Sequence, residues 1–172
     1  ENVFVLPQVK FDDDVSIGAN THFICVQPFL GASYEEMVRR GAQPICANFP
    51  FGADGTTRWL WAIAERFDVS KAKFDKVVAA PKLRAEQAIA AVASDLRGKS
   101  VFFFPDSQLE IPLARFLAAE CGMELTEVGS PFIHKSLVYA DLADLPATTQ
   151  ISEGQDVDKQ LDRVFDYNPD LT

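Results

Sequence analysis

Two polar stretches of the sequence follow apolar runs and carry side chains that can bind a ligand. The first comes directly after VFFF (101–104), and the second is SEGQD (152–156). Together they supply Asp106, Ser107, Gln108, Glu153, Gln155 and Asp156. In open α/β sheets ligands bind at the carboxyl ends of strands, so both stretches are predicted to lie at one sheet edge. Capped helix starts have the same pattern, and the spacing leaves both interpretations open.

His134 follows the stretch SPFI at a predicted strand end, where a histidine either faces a ligand or occupies the surface or a helix cap. The only other histidine is His22, and the sequence contains no HxxxH, HxH or HExxH pattern. A zinc site built by this chain is therefore not predicted.

The three cysteines are too far apart in sequence to suggest a metal centre. Cys25, Cys46 and Cys121 form no CxxC pair and leave an odd thiol in any disulfide scheme, which indicates a reducing compartment. Cys25 and Cys46 fall in predicted strands and Cys121 at a predicted helix end. We expect all three to be small buried side chains and none to bind a metal.

Common nucleotide and hydrolase motifs are absent, since the sequence has no GxGxxG, GxxxxGK[ST] or GxSxG. The stretch FGADG (51–55) precedes a predicted helix and could hold an anion on backbone amides. The favoured alternative is an ordinary turn in which Asp54 or Thr56 caps the helix. The acidic run DDD (12–14) is predicted to be a solvated linker.

Composition excludes several classes of protein. The sequence has 172 residues, 48% hydrophobic and 24% charged, which is typical of one globular domain. Its formal net charge of -9 repels a phosphate backbone, so nucleic-acid binding is not expected. No apolar run approaches the roughly 20 residues that cross a bilayer, and Glu1 is followed by no export signal. We therefore expect a cytoplasmic protein without a membrane span.

Strand and helix patterns alternate along the chain, which predicts an α/β fold: a Rossmann-like layer with a mainly parallel sheet and helices on both faces. Residues 1–21 are interpreted as the end of a preceding element and a linker, and residues 22–172 as Rossmann-like structure within a longer subunit. Predicted strands cover 2–7, 22–29, 44–49, 101–104, 123–129 and 148–152. VFFF is predicted to be a central strand buried on both faces.

Several helix boundaries are predicted from caps and prolines. Ser33 and Glu36 have capping-box spacing at the start of one helix, which ends before Gly41. A short helix is predicted over 71–78, with another beginning at Pro81. Pro112 places the start of a further helix near 109–111, because only the first turn tolerates its missing amide.

Five sequence words carry a resemblance to a known family. In order they are QPFL (27–30), FPFGADGTT (49–57), FFFPDSQLEIPLARFL (102–117), EVGSPFIH (127–134) and SEGQDVDKQLDR (152–163). Together they resemble the N subunit of the light-independent (dark-operative) protochlorophyllide reductases, a nitrogenase-like family. The resemblance implies a nitrogenase component 1-like fold. The residues of the predicted sheet edge, with His134, would then face the substrate or a subunit interface.

The resemblance also implies an activity and its partners. Such an enzyme is an N2B2 heterotetramer of N and B subunits that carries a [4Fe-4S] cluster and reduces the D-ring double bond of protochlorophyllide. Its electrons come from a transiently bound L protein that hydrolyses ATP. The cluster ligands are expected outside this chain, so the chain alone is expected to be inactive, and a plastid homologue would work in the stroma. The alternatives are a non-catalytic Rossmann-like binding module and a component of the sister chlorophyllide reductase.

Overall fold

The computed structural model describes residues 3–6, 16–154 and 156–172. Strands and helices alternate through most of this part of the chain. In order they are β1 (His22–Phe23), α1 (Gly31–Arg39), β2 (Gln43–Pro44), α2 (Gly52–Arg66), α3 (Lys71–Leu96), β3 (Ser100–Phe103), α4 (Glu110–Cys121), β4 (Glu124–Ser130), α5 (Lys135–Ala143), β5 (Gln150–Glu153) and α6 (Val157–Tyr167). No helix in these ranges is long and apolar enough to cross a membrane.

The main sheet is parallel and has the order β3-β4-β5. Leu171 extends it on the far side of β3, where its carbonyl accepts a 3.0 Å hydrogen bond from the Phe102 amide. Helices cover both faces of β4. Successive strand residues face opposite sides of the sheet, so Gly129 and Ser130 lie on different faces. Gln160 of α6 packs over Gly129, and Glu110 of α4 accepts a hydrogen bond from Ser130. The predicted parallel α/β architecture is confirmed.

The core lies between the main sheet and helices α4 and α5. Its fully buried members include Val101, Ile111, Ala114, Cys121, Val128 and Val138. Val101 packs in this core, whereas its neighbour Phe102, which is 0% exposed, packs against Tyr167 of α6 on the other face of β3. The predicted burial of VFFF on both faces is confirmed for these two residues, whereas Phe103 and Phe104 are half-buried. Its predicted central place is wrong, because β4 is the middle strand and β3 has only the single bridge to Leu171 on its other side.

The predicted strands 22–29 and 44–49 shrink to the two-residue pair β1 and β2. Their ladder runs through the Thr21 and Phe23 carbonyls, which accept from the Gln43 and Ile45 amides at 2.8 Å. The next carbonyl, that of Cys25, accepts instead from the Trp59 indole, so the ladder stops there. Residues 3–6 form no strand, and the acidic run 12–14 lies outside the described residues.

The predicted capping box in α1 is wrong. The helix begins at Gly31, two residues before Ser33, and its N-cap residue Leu30 makes no side-chain cap hydrogen bond. Glu36 therefore lies in the helix interior and pairs with Arg39 and Arg40 in the last turn. The predicted helix end is confirmed, since Gly41 has the left-handed φ of +88°.

The predicted break before Pro81 is also wrong, because residues 71–96 form one helix. Ser70 caps it by accepting from the Lys73 amide, and Pro81 lies inside it. An internal proline removes one hydrogen bond and crowds the preceding turn. Here Phe74 near one end and Ala93 near the other are both buried, so packing on either side of the proline keeps the helix continuous.

Candidate functional site

The loop between β3 and α4 is organised by the buried carboxylate of Glu110, the first residue of α4. Three successive backbone amides donate to its Oε1, from Asp106 at 2.8 Å, Ser107 at 2.6 Å and Gln108 at 3.2 Å. Gln108 adopts the left-handed φ of +69°, which helps turn the amides inward. Such a concave row of amides is an anion-binding arrangement, and in this protein Glu110 fills it.

The other oxygen of Glu110 connects this loop to the neighbouring strand. Its Oε2 accepts a 3.1 Å hydrogen bond from the hydroxyl of Ser130, the buried last residue of β4. The Ser130 carbonyl in turn accepts from the Gly154 amide at 2.9 Å, just after β5. The carboxyl ends of β3, β4 and β5 are thus joined into one edge by hydrogen bonds.

Glu153 lies at this edge as the last residue of β5. Its Oε1 accepts a 2.8 Å hydrogen bond from the Ile133 amide, which holds the segment between β4 and α5. His134 follows at the N-cap position of α5 but makes no side-chain cap hydrogen bond. Its ring meets Phe132 edge-on at 4.6 Å and lies directly against Gly31, where any added Cβ would overlap the imidazole.

Asp156 caps the amino terminus of α6. This agrees with the second interpretation of the SEGQD stretch, a capped helix start. The Asp156 Oδ1 accepts from the Lys159 amide at 3.2 Å, and its Oδ2 pairs with the Lys159 ammonium at 2.7 Å. These two bonds lower the pKa of the exposed Asp156 carboxyl below its usual value. Gln155 lies outside the described residues.

The six described residues predicted for the site all lie at or just after the carboxyl ends of β3, β4 and β5, but their chemical environments differ. Asp106 and Ser107 have exposed side chains. The Gln108 side-chain oxygen is buried without a partner in the described part of the chain. Glu153 and Asp156 are engaged with backbone amides. A role for this set at a substrate or subunit surface stays a prediction.

On the face of the sheet that α6 covers lies an ion pair that the sequence patterns did not predict. Glu127, fully buried in β4, accepts two hydrogen bonds from Arg163 of α6 at 2.6 and 2.7 Å and one from the Ser152 hydroxyl at 2.6 Å. The carboxylate raises the pKa of Arg163. Nearby, Gln160 is 2% exposed, and its Oε1 has no partner among the described residues.

A second buried ion pair anchors the segment 48–51, which leads into α2. Arg115 and Asp141 are 1% and 0% exposed, with 2.6 Å between Nε and Oδ1. The guanidinium also donates to the carbonyls of Phe49 and Phe51, and the Phe49 amide donates to Asp141. Burial raises the pKa of Asp141, opposed by the Phe49 amide and by Arg115. Two of the sequence words, FPFGADGTT and FFFPDSQLEIPLARFL, thereby pack on each other.

The expected cap of α2 by Asp54 or Thr56 is wrong. The amides of Ala53 and Asp54 donate to Oε2 of Glu120 at 2.7 and 3.2 Å, while the Thr56 hydroxyl donates to the Pro50 carbonyl. Gly52 is required here, because its φ is +73° and a Cβ would overlap the Glu120 carboxylate. The anion at this helix amino terminus is therefore a side chain of α4.

Glu110 could have been recognised from the sequence, whereas Arg115 and Glu120 could not. Ser107 and Glu110 have the S-x-x-E spacing of a capping box, and the carboxylate does accept from the Ser107 amide. Arg115 and Glu120 act on residues more than 60 positions away, and no local pattern indicates such contacts.

The cysteines do not fit an iron–sulfur cluster. Cys121 is buried at the end of α4, Cys25 is half-buried, and Cys46 is exposed, which corrects the expectation that it is buried. Within the described ranges no three His, Cys, Asp or Glu side chains are grouped to hold a metal ion. An iron–sulfur cluster requires several thiolates that converge on one site, and the three cysteines of this chain do not provide such a site.

Comparison with known proteins places this architecture among redox enzymes. The family model described as "Nitrogenase component 1 type Oxidoreductase" matches residues 2–172. The chain is 60% identical over 168 residues to "Light-independent protochlorophyllide reductase subunit N" of Jannaschia sp. (strain CCS1), covering 98% of this chain and 39% of that protein. Proteins of the same name from Roseobacter denitrificans and Dinoroseobacter shibae are 56% and 58% identical, over 98% and 99% of this chain and 39% and 40% of theirs.

A solved structure titled "Nitrogenase Cp1 at pH 6.5" has a similar fold. It superposes with a TM-score of 0.50 at 17% identity, covering 81% of this chain and 30% of that one. At this level of identity the likeness concerns the fold alone. The chain spans about two-fifths of the length of the curated relatives described above.

Proposed function

Because the chain belongs to the nitrogenase component 1 type oxidoreductases, we propose that it is part of the N subunit of a light-independent protochlorophyllide reductase. The observation that carries this proposal is the 60% identity, across 98% of the chain, to a protein of that name. The relatives reported above carry the same name, which favours this activity over the sister chlorophyllide reductase. The whole subunit would work in the cytoplasm, or in the stroma of a plastid.

In this proposal the assembled enzyme reduces the D-ring double bond of protochlorophyllide. The N subunit pairs with a B subunit in an N2B2 heterotetramer, and an ATP-hydrolysing L protein binds transiently to deliver electrons. The [4Fe-4S] cluster uses ligands outside this chain, since its own cysteines are not grouped for one. The contribution of this chain is the framework that shapes a substrate cavity or a subunit interface.

Exposed apolar side chains support packing of this domain against further protein. On α6, Val157, Leu161 and Phe165 lie four residues apart on one face and are 51%, 41% and 79% exposed. On α3, Val77, Leu83 and Val92 are also exposed. Apolar helix faces of this kind are usually covered in an assembled protein, which agrees with a role inside a larger subunit.

The carboxyl edge of the main sheet is the surface we assign to substrate or partner contact. Ligands of parallel sheets bind at this edge. The exposed Asp106 and Ser107 are held there because their backbone amides donate hydrogen bonds to the Glu110 carboxylate. Glu110 is a positioning residue in this assignment, because its carboxylate faces the loop amides and Ser130. The edge is completed by His134, Glu153 and Asp156. Gln155, which lies outside the described residues, is included in this assignment from its sequence position alone.

The test uses the full-length N subunit, purified anaerobically with its B partner and supplied with L protein, ATP, dithionite and protochlorophyllide. We expect the absorption of chlorophyllide to appear only with all components present, and its absence would overturn the proposal. Asp106→Asn is expected to slow turnover if the edge faces substrate, or to reduce recovery of the N–B complex if it faces a partner. Asp95→Asn, an exposed carboxylate on α3, is the matched control.

The isolated 172-residue chain is proposed to bind no cluster and to reduce no protochlorophyllide. Anaerobic reconstitution with iron and sulfide, followed by iron analysis and visible absorption, tests this directly. About four irons per chain, lost when Cys25, Cys46 and Cys121 are changed to serine, would show that the cluster belongs to this domain instead.

A further inference from the structure

Cys25 lies two residues after the end of β1, and Cys46 lies two residues after the end of β2. The register aligns His22 with Gln43 and Phe23 with Pro44. Continued by two residues, this alignment places Cys25 opposite Cys46. The last ladder bond, from the Ile45 amide to the Phe23 carbonyl, directly precedes this pair. Hydrogen-bonded strands lie about 4.8 Å apart, within the roughly 4.4 to 6.8 Å between Cα atoms that a disulfide spans.

The two thiols also share their surroundings. Both line one small pocket together with Phe23, Tyr34 and Ile45. Burial raises the pKa of Cys25, and the nearby charge of Cys46 raises it further. The pKa of Tyr34 is raised by burial and by negative charge on either thiol, so the phenol lies close to both. Register, pocket and electrostatics thus indicate the same close pair.

The two thiols differ in their access to solvent. Cys46 is exposed, whereas Cys25 is half-buried. Oxidants and small disulfides react with an exposed thiol first, because thiol–disulfide exchange requires access of the attacking thiolate. Cys46 is therefore suited to the initial attack, and Cys25 to the second step that displaces the adduct. Cys121 is buried at the far end of α4 and is not part of this pocket.

We propose that Cys25 and Cys46 form a redox-sensitive dithiol that low-molecular-weight disulfides such as oxidised glutathione convert to an intramolecular disulfide. The Cys46 thiolate attacks one sulfur of oxidised glutathione and releases one glutathione thiolate. The Cys25 thiolate then attacks the Cys46 sulfur of the mixed disulfide and releases the second. Two protein thiols are oxidised, one glutathione disulfide is reduced to two thiols, and the two protons pass to the leaving thiolates.

The closed disulfide would join the ends of β1 and β2 directly before the segment 48–51, which Asp141 and Arg115 anchor. The bond would replace the ladder hydrogen bond that Cys25 lacks, since its carbonyl is bound to Trp59. Oxidation therefore fixes the distance between two strand ends that the reduced protein leaves without a backbone link.

The experiment uses the full-length protein that carries this chain, purified anaerobically, treated with oxidised glutathione and mapped by peptide mass spectrometry without reduction. We expect a linked peptide containing Cys25 and Cys46, lighter by two hydrogen atoms than the two free peptides, and its loss on adding dithiothreitol. Cys121→Ser should form the same link. Cys25→Ser should instead accumulate a glutathione adduct on Cys46, because the displacing thiol is gone.

Three results would overturn the proposal. One is a stable glutathione adduct on Cys46 of the unaltered protein without the link to Cys25. Another is a link that involves Cys121. The third is a Cys46 that stays unmodified in a protein whose circular dichroism shows it to be folded. Because the decisive sample is the unaltered protein, failure of a variant to fold does not affect the outcome.

Discussion

The Ser130 hydroxyl donates a 3.1 Å hydrogen bond to Oε2 of Glu110, so the last residue of β4 is joined to the first residue of α4. The other oxygen of the same carboxylate accepts hydrogen bonds from three backbone amides of the loop between β3 and α4. One buried side chain therefore sets both the position of the loop and the place where α4 begins.

Glu110→Ala is expected to destabilise the domain by about 2 kcal/mol, because three loop amides and a buried hydroxyl lose their acceptor. Urea denaturation measures the loss. Glu110→Gln should cost less, since its amide oxygen can still accept from the loop. Glu35→Ala, the same change at an exposed position of α1, is the control and should stay within about 0.5 kcal/mol of the unaltered chain. Equal effects of Glu110→Ala and Glu35→Ala would contradict the role given to Glu110.

The buried pair of Arg115 and Asp141 should be costly to break and less costly to replace. Arg115→Met leaves an unpaired carboxylate in the interior, and a loss of about 3 to 5 kcal/mol is expected. The double variant Arg115→Met/Asp141→Leu should lose less than the sum of the two single changes. Arg58→Met, whose side chain is 50% exposed, should cost under about 1 kcal/mol. An additive double variant would show that the two groups are not coupled.

Gly31 and His134 should also be coupled, through steric overlap rather than through attraction. Gly31→Ala places a methyl group where the imidazole lies, and overpacking of this kind costs about 1 to 3 kcal/mol. In Gly31→Ala/His134→Ala the ring is gone, so the added methyl should cost little or should stabilise α1 through its better helix propensity. The thermal midpoints of the two single variants and the double variant test this. A double variant no better than Gly31→Ala would argue against direct contact.

The parts of the fold that local chemistry determines were predictable from the sequence. The continuous apolarity of VFFF predicted β3, and Pro112 correctly placed the start of α4 near Glu110. The strands β4 and β5 were also predicted close to their observed bounds. In each case a residue's own constraint, such as a missing amide or a two-sided apolar run, decides the structure.

The predictions failed where contacts with residues distant in sequence determine the structure. Pro81 looks like a helix start, yet packing of Phe74 and Ala93 keeps α3 continuous. FGADG looks like a self-capped turn, yet its amides bind Glu120, 67 positions after Ala53. For the candidate site, the sequence indicated the loops at the sheet edge but not the buried acid that holds one of them. Long-range electrostatic contacts leave no periodic pattern, so a single sequence does not reveal them.

The final prediction concerns the pH dependence of the edge where Leu171 meets β3. Asp170 Oδ2 accepts from the Ser100 amide at 2.8 Å and from its hydroxyl at 2.9 Å, and these bonds lower the pKa of the Asp170 carboxyl. An acid with a lowered pKa in the folded state binds its proton less tightly there than in the unfolded chain. Its stabilising contribution is therefore complete above the unfolded pKa of about 3.9 and is lost as the pH falls through the lower folded pKa.

Amide hydrogen exchange gives a local measure of this contribution. Near neutral pH, Asp170→Asn should reduce the protection of the Phe102 and Leu171 amides, because the neutral side chain is a weaker acceptor for Ser100. As the pH falls below about 3.9, protection in the unaltered chain should decline until the two proteins agree. Asp162→Asn removes the same charge from an exposed position and should show no such convergence. If the difference between the unaltered protein and Asp170→Asn is constant with pH, ionisation of Asp170 does not hold the edge.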